Sequence, residues 1–256
     1  MVDQTNPIRR YRAALSVAAA LLIAAPTASA PAEPDEVVPD GPAELAVLQS
    51  VPIKGRAPWT DYRRSQFGPA WSDDVTVPDG HNGCDTRNDI LRRDLIDVEI
   101  KPDTHGCVVL SGVLIDPYTG STIDFHRGPG SSLAVQIDHM VALADAWRTG
   151  AQQWDEDKRR NFANDPLNLQ ATSGPVNEDK GDADAASWLP PNKSYRCEYV
   201  SRIVEVKSHY GLWVTPAEHD AIARVLSNDC GAPPPPDTPP APEEPDSADS
   251  ADSAPG

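Results

Sequence analysis

The chain has 256 residues, with 39 acidic against 22 basic side chains and a formal net charge of −17. That length leaves room for one domain with loose ends, and the charge is not the basic footprint of a protein that holds nucleic acid through bulk electrostatics. No G-x-S-x-G, H-E-x-x-H, P-loop or C-x-x-C string occurs, which argues against a serine hydrolase, a zincin, an NTPase and a zinc ribbon.

Read from the N-terminus, Arg9, Arg10 and Arg12 precede an apolar run over 13–25 and a small-residue stretch over 26–32. This is the pattern of a secretory signal peptide. The run spans about 20 Å as a helix, short of the roughly 30 Å hydrocarbon core, so a cleaved leader is expected rather than a membrane anchor. Cleavage after Ala32 is preferred to cleavage after Ala30, because Pro31 would then follow the cut. Ordinary export is preferred to the twin-arginine route, since Arg12 stands where that signal wants an apolar residue. The mature protein is expected to be secreted or held in the cell envelope, without stable membrane insertion. Residues 33–58 read as a Pro-rich acidic linker, and 231–256, with nine prolines and no aliphatic residue larger than Ala, as a disordered tail. The domain is therefore placed at 59–230. The tail holds six acidic residues, 33–44 hold five more and the leader carries a net +2, which leaves −8 on 45–230.

Residues 84–99 open with the capping candidates Asp85 and Thr86 and place Ile90, Leu91 and Leu95 at helical spacing. The β-rich stretches 107–115 and 121–125 flank Asp116-Pro117-Tyr118-Thr119-Gly120, which predicts a hairpin. A short strand over 134–137 delivers Asp138-His139. Helices are expected at 141–149 and 155–163, a second strand at 168–171 and a short helix at 174–180. Tyr199, Val200, Ile203, Val206 and Tyr210 form the stripe of another helix ending at Gly211. Thr215-Pro216-Ala217-Glu218 then combines a capping box with Pro at the first helical position and opens the last helix, to about Asn228. Four cysteines in an exported chain imply two disulfides with three possible pairings. Cys197 and Cys230 stand at the two ends that a helical hairpin brings together, which favours 197–230 and leaves 84–107.

Cutting a phosphodiester requires a base, a cation to offset transition-state charge and a group that orients the base. The stretch 138–180 offers each: Asp138 beside His139 at a strand end, Asn168 on the second strand, and Asn177 and Lys180 on the helix after it. Adjacent residues leaving a strand point to opposite sides, so one can face a metal and the other a water.

The DH pair, the nine-residue step from Asn168 to Asn177 and Lys180 three residues on resemble the ββα-metal finger of the HNH nuclease superfamily. The wider text DHMVALADAW, NDPLNLQAT, NEDKGD and WLPPN is similar to the HNH subfamily in the C-terminal part of GmrSD-type modification-dependent restriction enzymes, and to small secreted actinobacterial relatives. The resemblance covers about 84–230 and implies an α+β fold, a ββα finger embedded in a mainly helical, disulfide-bonded domain. It implies His139 as general base, Asp138 and Asn177 as ligands of one divalent cation, Asn168 as the clamp of the loop that presents His139, and Lys180 at a substrate phosphate. The amide at 177 points to Mg²⁺ or Mn²⁺, because its oxygen is a hard ligand. The implied partner is nucleic acid, DNA ahead of RNA. Two departures stand out: 28 residues separate His139 from Asn168, and Asn occupies position 177 where other fingers carry His.

Ordinary readings compete at several positions. Asn168 and Asn177 also suit turns, Lys180 suits a helix C-terminus, and Arg87, Arg92 and Arg93 suit a solvated helix face. Arg87 is carried forward as a phosphate contact, and with Arg92, Arg93, Lys180, Arg196 and Lys207 it offers a local basic face within an acidic domain. The alternative to an enzyme is an exported interaction module that keeps the finger as scaffold.

Overall fold

The computed structural model describes residues 41–230, and most of its elements begin at signals that are local in the chain. The expected leader (1–32) and tail (231–256) lie outside the described residues, as do residues 33–40 of the expected linker. The elements are α1 (Gly41–Ser50), α2 (Thr86–Asp94), β1 (Leu95–Ile100), β2 (Val109–Ile115), β3 (Thr122–His126), β4 (Val135–His139), α3 (Leu143–Arg148), α4 (Glu156–Asn164), β5 (Leu169–Ser173), α5 (Gly174–Lys180), α6 (Arg196–Tyr210) and α7 (Pro216–Asn228). The class is α+β. Asp85 caps α2 by accepting from Asn88 N, Asp155 caps α4 from Lys158 N, and Thr215 with Glu218 closes both halves of the capping box on α7. Gly211 ends α6 in the left-handed conformation, φ 70°.

Two sheets form. β1-β2-β3 is an antiparallel meander, and β4-β5 is an antiparallel pair in which Asp138 faces Gln170 and His139 faces Leu169. α2 and the two sheets enclose one core around Ile90, Leu91, Val109, Phe125, Ile137 and Leu169. The helices enclose a larger one around Phe67, Tyr118, Trp147, Phe162, Tyr199 and Leu226. The disulfides are Cys84–Cys107 and Cys197–Cys230, the pairing that the helical hairpin favoured. Among the described residues no helix is long and apolar enough to cross a membrane.

Two expectations are corrected. The helix expected over 84–99 stops at Asp94, and Leu95–Ile100 is a strand paired with β2. Its apolar residues Ile96, Val98 and Ile100 alternate, and that period of two prevails over the helical spacing of the residues before it. The stretch 41–58 is not linker. Gly41–Ser50 forms a helix packed on α6 and α7, with Leu48 and Val51 buried, and Lys54 N donates to Val214 O at 3.0 Å.

Candidate active site

Strand alternation divides β4 between two surroundings. Gln136 and Asp138 share one side of the strand, and His139 takes the other. Asp138 is buried among donors. Lys180 Nζ, on α5, lies 2.9 Å from each carboxylate oxygen and also donates to His139 O at 2.8 Å. The Tyr118 hydroxyl, from the turn between β2 and β3, donates to Asp138 Oδ2 at 2.6 Å. Burial and the charge of Asp138 push the Tyr118 phenol well up, so it stays a protonated donor. The turn is anchored in its own right: Asp116 accepts from Thr119 Oγ1 and from Thr172 Oγ1 on β5, at 2.6 and 2.7 Å.

His139 is buried, with Nε2 2.9 Å from the Ala163 carbonyl at the end of α4. A carbonyl only accepts, so Nε2 carries the proton and the lone pair of the neutral ring is on Nδ1. Burial lowers the imidazole from 6.5 to about 3, with Arg64 and Lys180 pulling in the same direction against the Ala163 hydrogen bond. The ring is therefore neutral at pH 7. Trp71 lies nearly parallel to it, with centroids 6.1 Å apart and planes 13° from parallel.

Asn168 is fully buried in the turn before β5. Its Oδ1 accepts from Val141 N at 2.8 Å, its Nδ2 donates to Val141 O at 3.3 Å, and its own carbonyl accepts from Met140 N at 2.8 Å. The two residues that follow His139 are thereby clamped. Asn177 on α5 donates from Nδ2 to Gln136 Oε1 at 2.8 Å, and Gln136 donates to Glu178 Oε1 at 2.9 Å. A cavity of about 180 Å³ is lined by Asp138, His139, Asn177, Gln136, Glu178 and Arg64, among others.

Asp138, His139 and Asn177 thus meet at one cavity, and Asn168 sits behind it. Lys180 and Arg87 do not line that cavity. Lys180 is 1% exposed, the internal counter-ion of Asp138, because the last turn of α5 points it at the core. Arg87 spends its guanidinium on the Ser132 and Val135 carbonyls, at 3.3 and 3.0 Å. The expected basic face dissolves with them. Lys207 is buried against Asp145 and Glu218, Arg93 is tied to Asp94 and the Pro166 and Leu169 carbonyls, and Arg196 donates to Pro190 O.

Sequence reasoning missed Tyr118, Gln136, Trp71, Ala163 and Arg64. Gln136 was within reach, since i and i+2 on a strand share a face. Tyr118, Trp71, Ala163 and Arg64 come from separate segments of the chain, and no local pattern announces them.

The family described as GmrSD restriction endonucleases, C-terminal domain, matches residues 85–225. An uncharacterised secreted protein of Arthroderma benhamiae is 35% identical over 218 residues, which cover 84% of this chain and 98% of the relative. No solved structure matches the chain. With its two disulfides, this likeness to a secreted protein identifies an exported chain, in the medium or the cell envelope. The match runs from the cap of α2 to the last turns of α7 and takes in every residue of the cavity except Arg64, so the chain belongs to the GmrSD C-terminal domain family of HNH-type endonucleases.

Proposed function

We propose that this protein is an exported, metal-dependent nuclease, with β4, β5 and α5 forming a ββα-metal finger inside the domain that spans 59–230 and the α1 segment before it. The leader, residues 1–32, would carry it out of the cytoplasm. The observation that carries the reading is the neutral His139, fixed through Nε2 on Ala163 O, at the cavity that Asp138 and Asn177 also line. Nδ1 is then the atom that takes a proton from an attacking water. Asn168 holds the loop after His139 in place while it does so.

The donor set fits a hard divalent cation such as Mg²⁺ or Mn²⁺. A carboxylate has about four acceptor positions, and one ammonium and one hydroxyl leave some of them open at Asp138. The Asn177 amide, held through its nitrogen, has its oxygen to offer. Among the described residues no three His, Cys, Asp or Glu gather to hold a metal by themselves, so the remaining positions would fall to water and substrate phosphate. When bound, the cation would offset the charge that develops on the phosphate. Arg64, exposed at the rim, replaces Lys180 and Arg87 as the side chain that meets a phosphate.

The test is a nicking time course on plasmid DNA, with structured RNA in parallel, for wild type and His139→Ala with Mg²⁺, with Mn²⁺ and with chelator. Loss of the base should lower the rate about 10²–10⁴-fold, and chelator should abolish cleavage. Equal cleavage rates for the two proteins would overturn His139 as the base, cleavage indifferent to chelator would overturn the metal dependence, and no cleavage of either substrate would leave the exported interaction module.

A further inference from the structure

His139 lines a second cavity, of about 240 Å³, which Asp138 does not line. Its chemistry differs from the first: Asp138, Glu178, Gln136 and Asn177 bring carboxylate and amide groups to the first, while Trp71, Phe67, Pro69 and Ala70 wall this one. Asn164 reaches it with its amide nitrogen already committed to Arg160 O at 2.9 Å, which leaves the oxygen to accept. Arg64 borders both cavities.

The aromatic wall is set by the backbone. Trp71 has φ 59°, a conformation that a bulky side chain rarely adopts. It is held there by the start of α2, where Thr86 N donates to Trp71 O at 3.3 Å and Thr86 Oγ1 to Ser72 O at 3.0 Å. A largely aromatic and apolar cavity walled by an indole, with the Asn164 oxygen as an acceptor, is suited to a planar heterocycle with an exocyclic amine. The first cavity, which shares the same histidine, is suited to the phosphate attached to it. A base paired inside a duplex cannot enter such a slot without leaving its stack.

On the nuclease reading above, we propose that the Trp71 cavity receives an unpaired nucleobase next to the scissile phosphate, so that the substrate class is single-stranded or locally opened nucleic acid. The probe is a short phosphorothioate strand with a central 2-aminopurine, titrated into the full mature chain with chelator present, alone and annealed to its complement. Stacking on Trp71 should quench the single-strand fluorescence. Trp71→Ala should remove the quench and weaken binding about 5- to 150-fold, the range for loss of one base–aromatic stack. Trp71→Phe, which keeps a ring face, should stay within a few-fold of wild type, and Ala70→Leu, an exposed change that narrows the cavity, should weaken binding without unfolding the domain. The duplex should bind more weakly than the single strand. Absence of quench in wild type, equal affinity for duplex and single strand, or binding indifferent to both Trp71→Ala and Ala70→Leu would overturn the proposal. None of these readouts depends on turnover, so an inactive protein that still quenches would fail the nuclease reading alone.

Discussion

Asp138 and Lys180 are a buried ion pair before they are anything else, and this sets what their variants report. Asp138→Ala strands an ammonium that is 1% exposed and should cost about 3–5 kcal/mol, so a loss of activity in that variant would measure folding as much as metal binding. Asp138→Asn is the better probe of the ligand role. Lys180→Met is the more telling change: the domain should lose stability, yet the carboxylate, freed of its counter-ion, should attract Mg²⁺ more strongly. A thermal melt with and without Mg²⁺ checks this, and the cation-induced rise in Tm should be larger for Lys180→Met than for wild type.

At the scale of the element, α5 begins where β5 ends, and Gly174 is the joint. A Cβ there would stand 2.0 Å from Leu133 O, a backbone atom that cannot turn aside. Gly174→Ala should therefore shift α5, and with it Asn177 and Lys180, costing about 1–3 kcal/mol together with most of the nicking activity. Denaturant melts and the plasmid assay read the two effects. The α6–α7 hairpin is tied at its open end by Cys197–Cys230, 33 residues apart in sequence. Replacing both with Ser should lower stability by about 2–4 kcal/mol in denaturant titration while leaving the cavity intact, because the bond lies among the helical ends.

The molecule as a whole carries two opposed proton linkages. Burial lowers His139 from 6.5 to about 3, so its contribution to stability is full above pH 6.5 and is lost as pH falls toward 3. Burial raises Glu218 from 4.5 to about 7, with Lys207 resisting and Asp145 assisting. Its contribution is full below pH 4.5 and is lost as pH rises through 7. The same burial is overcome at Lys207, where Asp145 and Glu218 hold the ammonium up at about 12. Between pH 4.5 and 6.5 the two linkages therefore pull stability in opposite directions as pH rises. Glu218→Gln, which can still serve the capping box, should expose the histidine slope, with stability rising from pH 4.5 to 6.5. His139→Ala should expose the reverse. Chelated samples melted across this range test both.

By itself the sequence determined what rests on neighbours along the chain. The caps at Asp85 and Thr215, the β2–β3 hairpin, the strand that ends in Asp138-His139 and the stripe of α6 are all local patterns, and the spacing of Asp138, His139, Asn168 and Asn177 was legible because the family's text is. The sequence hid α1 and the turn after it, where Leu45, Leu48 and Val51 stand between prolines in a stretch otherwise composed like a linker. It also hid β1, where a helical spacing runs into an alternating one. Only the tertiary structure decided which charges line the cavity and which are buried. Lys180, Lys207 and Arg87 look like surface cations in one dimension, but each meets a carboxylate or carbonyl from a distant segment inside the fold, where the loss of either partner would leave the other buried and unpaired. The same long-range packing brought Tyr118, Ala163, Trp71 and Arg64 to the histidine. Burial by residues remote in sequence, which no local spacing encodes, is also what makes that histidine neutral.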